Sequence, residues 1–167
     1  MNAPLITEQA LLHSKELFFN PAATVPATHM YQQLVLEWEA IITGVAGVDE
    51  TLTGMGLCSA PGSSARRDQN NIAMFSIVSD ALRTLTDNAG TETETAITGA
   101  PTLTDIHTYK IVVRAGAVDF YVDGVLKNTH TTNLPASVLA VAFALNTTNG
   151  SAASIDVRSV RCYFLDA

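Results

Sequence analysis

No apolar run in this sequence approaches the ~20 residues that a bilayer-crossing helix needs, so no membrane-spanning helix is expected. Charge is sparse, at 15% of residues, while apolar residues make up 47%; that balance supplies a full core and excludes a disordered chain. Basic residues are the scarcer sign. Nine lysines and arginines against sixteen acids give a net charge of −7, which repels phosphates, so direct nucleic-acid binding is not expected. The same charge suits a basic partner surface. Cysteine is nearly absent: Cys58 and Cys162 lack metal-ligand spacing and make too thin a framework for a disulfide scaffold. Both read as small buried core residues, and a bridge between them requires that their strands be neighbours. The N-terminus has no basic segment followed by a long apolar stretch, so no secretory signal is expected. Opening on Met1, the chain reads as a complete small gene product made in a cytoplasm, with trimming from a longer protein as the competing reading.

What is present is strand rhythm. At 167 residues the chain has the size of one domain, and short Thr-, Val- and Ala-rich runs alternate with turn signals, as in a sandwich or barrel. Residues 1–29 form an N-terminal arm and 30–167 the sandwich. Within the arm, residues 7–19 suit a short helix capped by Thr7, and Leu17-Phe18-Phe19 suit an edge strand equally well. Asn20-Pro21 and Val25-Pro26 then interrupt regular structure. The apolar arm residues Leu11, Leu12, Leu17, Phe18 and Phe19 need a surface to cover, on the sandwich or on a partner.

Residues 30–43 alternate cleanly. Leu34, Leu36, Trp38, Ala40 and Ile42 share one face and Gln33, Glu37 and Glu39 the other, so Trp38 belongs to the core. Residues 51–60 form a second strand, in which Gly54 and Gly56 mark a bulge or the close approach of another backbone. Residues 61–71 are a polar loop. Strands follow at 72–78, 81–86 and 91–97, the last with Glu92 and Glu94 outward. Tyr109, Ile111 and Val113 then share a face, as do Val118, Phe120 and Val122, and Asp123-Gly124 sets a tight hairpin by accepting positive φ at both positions. Residues 138–145 are almost wholly apolar, as expected of a central strand buried on both faces. Residues 154–164 close the chain, with a bulge near Arg158-Ser159.

The stretch His107-Thr108-Tyr109-Lys110-Ile111-Val112-Val113, followed by Val118-Asp119-Phe120-Tyr121-Val122-Asp123-Gly124-Val125, resembles the concanavalin A-like lectin/glucanase superfamily, which includes laminin-G-like domains and β-glucanases. Thr131-Thr132-Asn133-Leu134-Pro135, the apolar strand after it and a closing Ile-Asp-Val strand fit the same layout. The match covers residues 105–164. It implies an all-β fold, a two-sheet antiparallel jelly-roll sandwich. Small stand-alone domains of this kind resemble tailed-phage structural proteins, an analogy of fold that does not by itself give function.

Sites for chemistry are few. The superfamily's glucanases carry a Glu-x-Asp-x-x-Glu strand whose two carboxylates could flank a glycosidic bond. Here Glu37/Glu39 and Glu92/Glu94 lack the third acid, and Ile41 stands four residues beyond Glu37, so both pairs read as solvated strand faces. His13, His29, His107 and His130 are scattered without ligand spacing. No Gly-x-Ser-x-Gly elbow and no calcium-loop pattern occurs, although Asp68, Asp80 and Asp87 lie near loops where calcium is conceivable. Arg66-Arg67 is the only basic doublet, a partner-binding candidate or simply a solvated loop.

The expectation is therefore a protein that is not an enzyme. The first reading is a virion structural protein, a capsid decoration or cement subunit made in the host cytoplasm. It would dock on a major capsid or other virion protein and form a homo-oligomer, with a trimer as the expected state because closed symmetry satisfies self-complementary edges. The alternative is a carbohydrate-binding module of a fibre or cell-surface-binding protein, with Tyr31 and Tyr121 as the stacking residues.

Overall fold

The structure, a computed structural model, describes residues 10–13, 31–44, 53–59, 70–137, 139–145 and 153–166. Among them run eleven strands: β1 (Ala10–His13), β2 (Tyr31–Thr43), β3 (Gly54–Cys58), β4 (Ile72–Val78), β5 (Ala81–Asn88), β6 (Thr91–Ala96), β7 (His107–Arg114), β8 (Ala117–Val122), β9 (Val125–His130), β10 (Ala140–Leu145) and β11 (Ser154–Asp166). They form two antiparallel sheets, one of six strands in the order β1-β10-β3-β4-β5-β6 and one of five in the order β11-β2-β7-β8-β9. The jelly-roll sandwich read from the sequence is the fold observed.

Period-two patterning builds the core between the sheets. Leu34, Leu36, Trp38, Ala40 and Ile42 of β2 face inward and are fully buried, as are Tyr109, Ile111 and Val113 of β7. Phe75 and Phe143 meet Trp38 edge-on, at centroid distances of 5.8 and 5.3 Å, and Phe75 also meets Phe120 at 5.4 Å. Edge-to-face pairs of this kind add about 0.5–1.5 kcal/mol each beyond area burial. Asp123 and Gly124 both take positive φ, 52° and 75°, as the tight β8–β9 hairpin requires. Strand β10 is buried along its whole length between β1 and β3, as its uniform apolar content demands.

Gly56 marks a close approach. Its φ is +149°, and an added Cβ would lie 2.5 Å from the Ala73 carbonyl oxygen and 2.8 Å from Ile111 Cδ1. The bulge in β11 lies between Val157 and Ser159, where the sequence alternation slips.

Two expectations are corrected. Residues 10–13, inside the stretch that suited a helix, are an edge strand paired with β10; Leu11 lies opposite Ala144 and Leu12 opposite Phe143. The free edge of β10 offers ladder hydrogen bonds that outweigh a weak local helix preference. Cys162 is exposed, while Cys58 is buried, and the two are not joined in a disulfide. The two lie in different sheets, and Cys162 sits on an edge strand. Leu17, Phe18, Phe19, Arg66, Arg67 and Asp68 lie outside the described residues, as does the helical cap Thr7.

Candidate binding face

The outer faces of the two sheets differ. On the six-stranded sheet, Cys58, Ile72, Met74, Leu85 and Ala142 point away from the main core, yet each is wholly buried. That part of the face is closed to solvent. The five-stranded sheet presents an open one.

Alternation decides which side chains line it. With Tyr109, Ile111 and Val113 inward, Lys110, Val112 and Arg114 must point outward; with Phe120 and Val122 inward, Asp119 and Tyr121 do the same. Register adds the rest. Tyr163 lies opposite Val35, and Leu165 opposite Gln33, across the β11–β2 pair. These residues line a depression of about 280 Å³. Its floor is apolar, for Val35 and Val112 are buried although they face outward. Tyr121 stands at one side on β8 and Tyr163 at the other on β11.

The polar groups around this floor are held in place. Arg114 donates from Nε to Asp119 Oδ2 at 2.8 Å and from Nη2 to Asp119 Oδ1 at 3.3 Å. Thr129 donates its hydroxyl to Asp119 Oδ1 at 2.7 Å. Burial acts to raise the Asp119 carboxyl, but these hydrogen bonds and the guanidinium charge outweigh it and hold the group below the usual carboxylate range. Lys110 Nζ stands 4.3 Å from the centre of the Tyr121 ring. That cation–π contact holds the ammonium over the ring, and Glu37 lies opposite Lys110 on β2. Arg114–Asp119 is thus a rigid neutral pair, with Lys110 a second cation on the same face.

Other polar clusters serve the scaffold. His130, inward on β9, is held between two inward hydroxyls of β5, with Nε2 2.9 Å from Thr84 Oγ1 and Nδ1 2.9 Å from Thr86 Oγ1. His107 Nδ1 lies 2.7 Å from Asp123 Oδ2, which anchors the start of β7 to the β8–β9 turn. Asp87 accepts the amides of Asn71 and Gly90 at 2.9 and 3.0 Å. Asp80 and Asp87 flank opposite ends of β5, so they do not share a calcium loop. No group of three potential metal-ligating side chains converges among the described residues. Glu37 and Glu39 are half-buried on the outer face, and Glu94 accepts a hydrogen bond from the Ser76 hydroxyl at 3.0 Å.

Of the residues singled out from sequence, Tyr121 lies in the depression. Tyr31 opens β2, and only its place in the strand is described. Leu11 and Leu12 sit in β1, in the other sheet. Asp119 shares the Tyr121 face by the alternation rule, whereas Lys110 and Arg114 were within reach of that rule but were not linked to Tyr121. Tyr163 and Leu165 needed the pairing of β11 with β2, which joins positions over a hundred residues apart.

No protein-family model matches this sequence. No curated protein matches it either. Solved structures do match in fold. The alginate lyase AlyC3 superposes with a TM-score of 0.61 at 12% identity, covering 95% of this chain and 76% of its own; the same enzyme is also known in complex with dimannuronate. An alginate lyase from Corynebacterium sp. gives 0.56 at 12% identity, over 87% of this chain and 61% of its own. The binding domain of botulinum neurotoxin DC in complex with SialylT gives 0.52 at 16%, over 81% and 33%. The chain thus spans about three fifths of the Corynebacterium lyase and a third of the toxin domain. The expectation that the chain is not an enzyme is corrected by these lyases: the same sandwich carries enzymes, and the missing Glu-x-Asp-x-x-Glu pattern speaks only against glucanase chemistry. What the likenesses establish is the fold, a jelly-roll sandwich consistent with the concanavalin A-like type.

Proposed function

We propose that this protein binds carbohydrate on the outer face of its five-stranded sheet. The observation that carries the reading is the pairing of Tyr121 and Tyr163 across an apolar floor of Val35 and Val112, with Lys110, Arg114 and Gln33 around it. Sugar rings bury their C–H faces on aromatic rings and satisfy their hydroxyls with planar, fixed hydrogen-bonding groups. The depression offers both. Fold neighbours that handle alginate, dimannuronate or SialylT support the reading by analogy.

A glycan array, run with and without calcium and including alginate oligomers and sialylated glycans, tests it. Binding is expected, and Tyr121→Ala and Tyr163→Ala should each weaken it about tenfold, the effect of losing roughly 1.4 kcal/mol, with thermal stability kept. An array without a binder overturns it. Chain cleavage of a bound alginate would assign lyase activity to the same face.

The finer expectation of a capsid decoration subunit, located on the virion, is not a role of the alginate lyases and toxin binding domain named above. It would use the arm residues Leu11, Leu12, Leu17, Phe18 and Phe19, and co-sedimentation of the chain with virions tests it.

A further inference from the structure

Strand register lays the open face out as cross-strand rows. In one row, Tyr163, Val35, Val112 and Asp119 follow each other from β11 to β8. In the next, Arg161, Glu37, Lys110, Tyr121 and Leu126 run from β11 to β9. Tyr121 therefore has Lys110 on its β7 side and Leu126 on its β9 side. The depression takes its lining from β11, β2, β7 and β8, and none from β9. A sugar seated there meets Tyr121 from the β7 side. That is where Lys110 stands, with Nζ over the ring and 4.3 Å from its centre. The stacking face is already occupied by an ammonium.

The charges lining the depression are two cations, Lys110 and Arg114, and one acid, Asp119. Asp119 takes the Nε and Nη2 donors of Arg114. That fills the planar fork with which a guanidinium grips phosphate or sulfate. Arg114 and Asp119 cancel, so the net positive charge of the lining lies on Lys110. Glu37 is opposite Lys110 but is not part of the lining, and Arg161 lies opposite it on its other side. An ammonium is a point charge on a flexible stem, so Lys110 can leave the ring without any movement of β7. A neutral sugar that displaces it breaks the cation–π contact and offers the charge no new partner, which lowers affinity about two- to fivefold. A sugar with a carboxylate gives the departing ammonium a charge-assisted hydrogen bond in exchange.

Resting on the carbohydrate-binding reading, we propose that Lys110 is a specificity residue that selects carboxylate-bearing glycans, by covering Tyr121 against neutral sugars and moving onto the carboxylate of an acidic one. Attraction to one ligand class and a barrier to the other then come from a single side chain. Tyr121 supplies stacking to either class, and Lys110 decides between them.

Oligomannuronate and oligogalacturonate, each beside the same oligomer with its carboxylates reduced to primary alcohols, are matched acidic and neutral probes. Calorimetric titration of the full chain should show the acidic member of a pair binding about tenfold tighter at low salt, with the preference shrinking as salt is raised. Lys110→Met keeps the apolar stem and removes the charge. It should weaken the acidic probe about tenfold and leave the neutral probe as tight or about two- to fivefold tighter, so that the preference disappears. Lys110→Arg should keep the preference, and Tyr121→Ala should weaken both members. Unchanged melting temperatures in these variants separate selection from folding. Equal affinity for the two members of a pair, a chain that binds only neutral glycans, or a preference that survives in Lys110→Met would each overturn selection by Lys110 while sugar binding stands. Absence of binding to every probe, together with an array that yields no binder, overturns the carbohydrate reading and this selection with it.

Discussion

Trp38 and Tyr109 lie directly opposite each other on β2 and β7 and stack nearly parallel, with ring centroids 5.6 Å apart and planes 18° apart. The pair fixes the centre of the core, and it has a polar defect: the Tyr109 hydroxyl is buried without a hydrogen-bond partner among the described residues. Burial, with the Asp123 charge added, pushes its phenol up to about 12. Removing an unsatisfied buried hydroxyl while keeping the ring relieves a desolvation penalty. Tyr109→Phe should therefore be neutral or stabilising by up to about 1 kcal/mol in urea denaturation. A loss larger than that would mean the hydroxyl has a partner.

His130 provides a pH dependence. Burial lowers its pKa from 6.5, because the charged imidazolium loses more solvation than the threonine hydroxyls return. The folded protein thus resists the proton that the unfolded chain accepts below about pH 6.5. Stability contributed by the neutral ring is full above that pH and falls as pH drops through and below it. The melting temperature should decrease from about pH 7 to about pH 5, and His130→Gln should flatten that slope. Equal slopes in both proteins would assign the acid sensitivity elsewhere.

Two glycines separate space from conformation. Gly56 has positive φ and no room for a methyl group, while Gly116, with φ +77°, has nothing within 4 Å of an added Cβ. Gly56→Ala should cost about 3 kcal/mol or more through steric clash and strain together, and Gly116→Ala only about 1 kcal/mol through backbone strain alone. Chemical denaturation of the two variants side by side measures the difference.

Much of this was readable from local pattern. The alternation from Leu34 to Ile42 located Trp38 in the core, and Asp123-Gly124 announced the hairpin, because side-chain period and turn chemistry act over a few neighbouring residues. Cys162 was misread for the opposite reason. Its neighbours give it the same apolar rhythm as a buried strand, and burial depends on whether a second layer lies over it. The helix reading of residues 7–19 failed at 10–13 on the same ground: an open strand edge supplied by β10 is not visible in the four residues that pair with it.

By itself, then, the sequence determined the extended backbone, the inward and outward faces of β2, β7 and β8, and the tight turn joining β8 to β9, since each follows from interactions between residues close in the chain. The tertiary structure alone decided that Tyr163 stands across from Tyr121, that one sheet face is open while much of the other is sealed, and that β11 lies at an edge. Those outcomes depend on which distant strands pair and in what order, and on a burial that only the stacked sheets create.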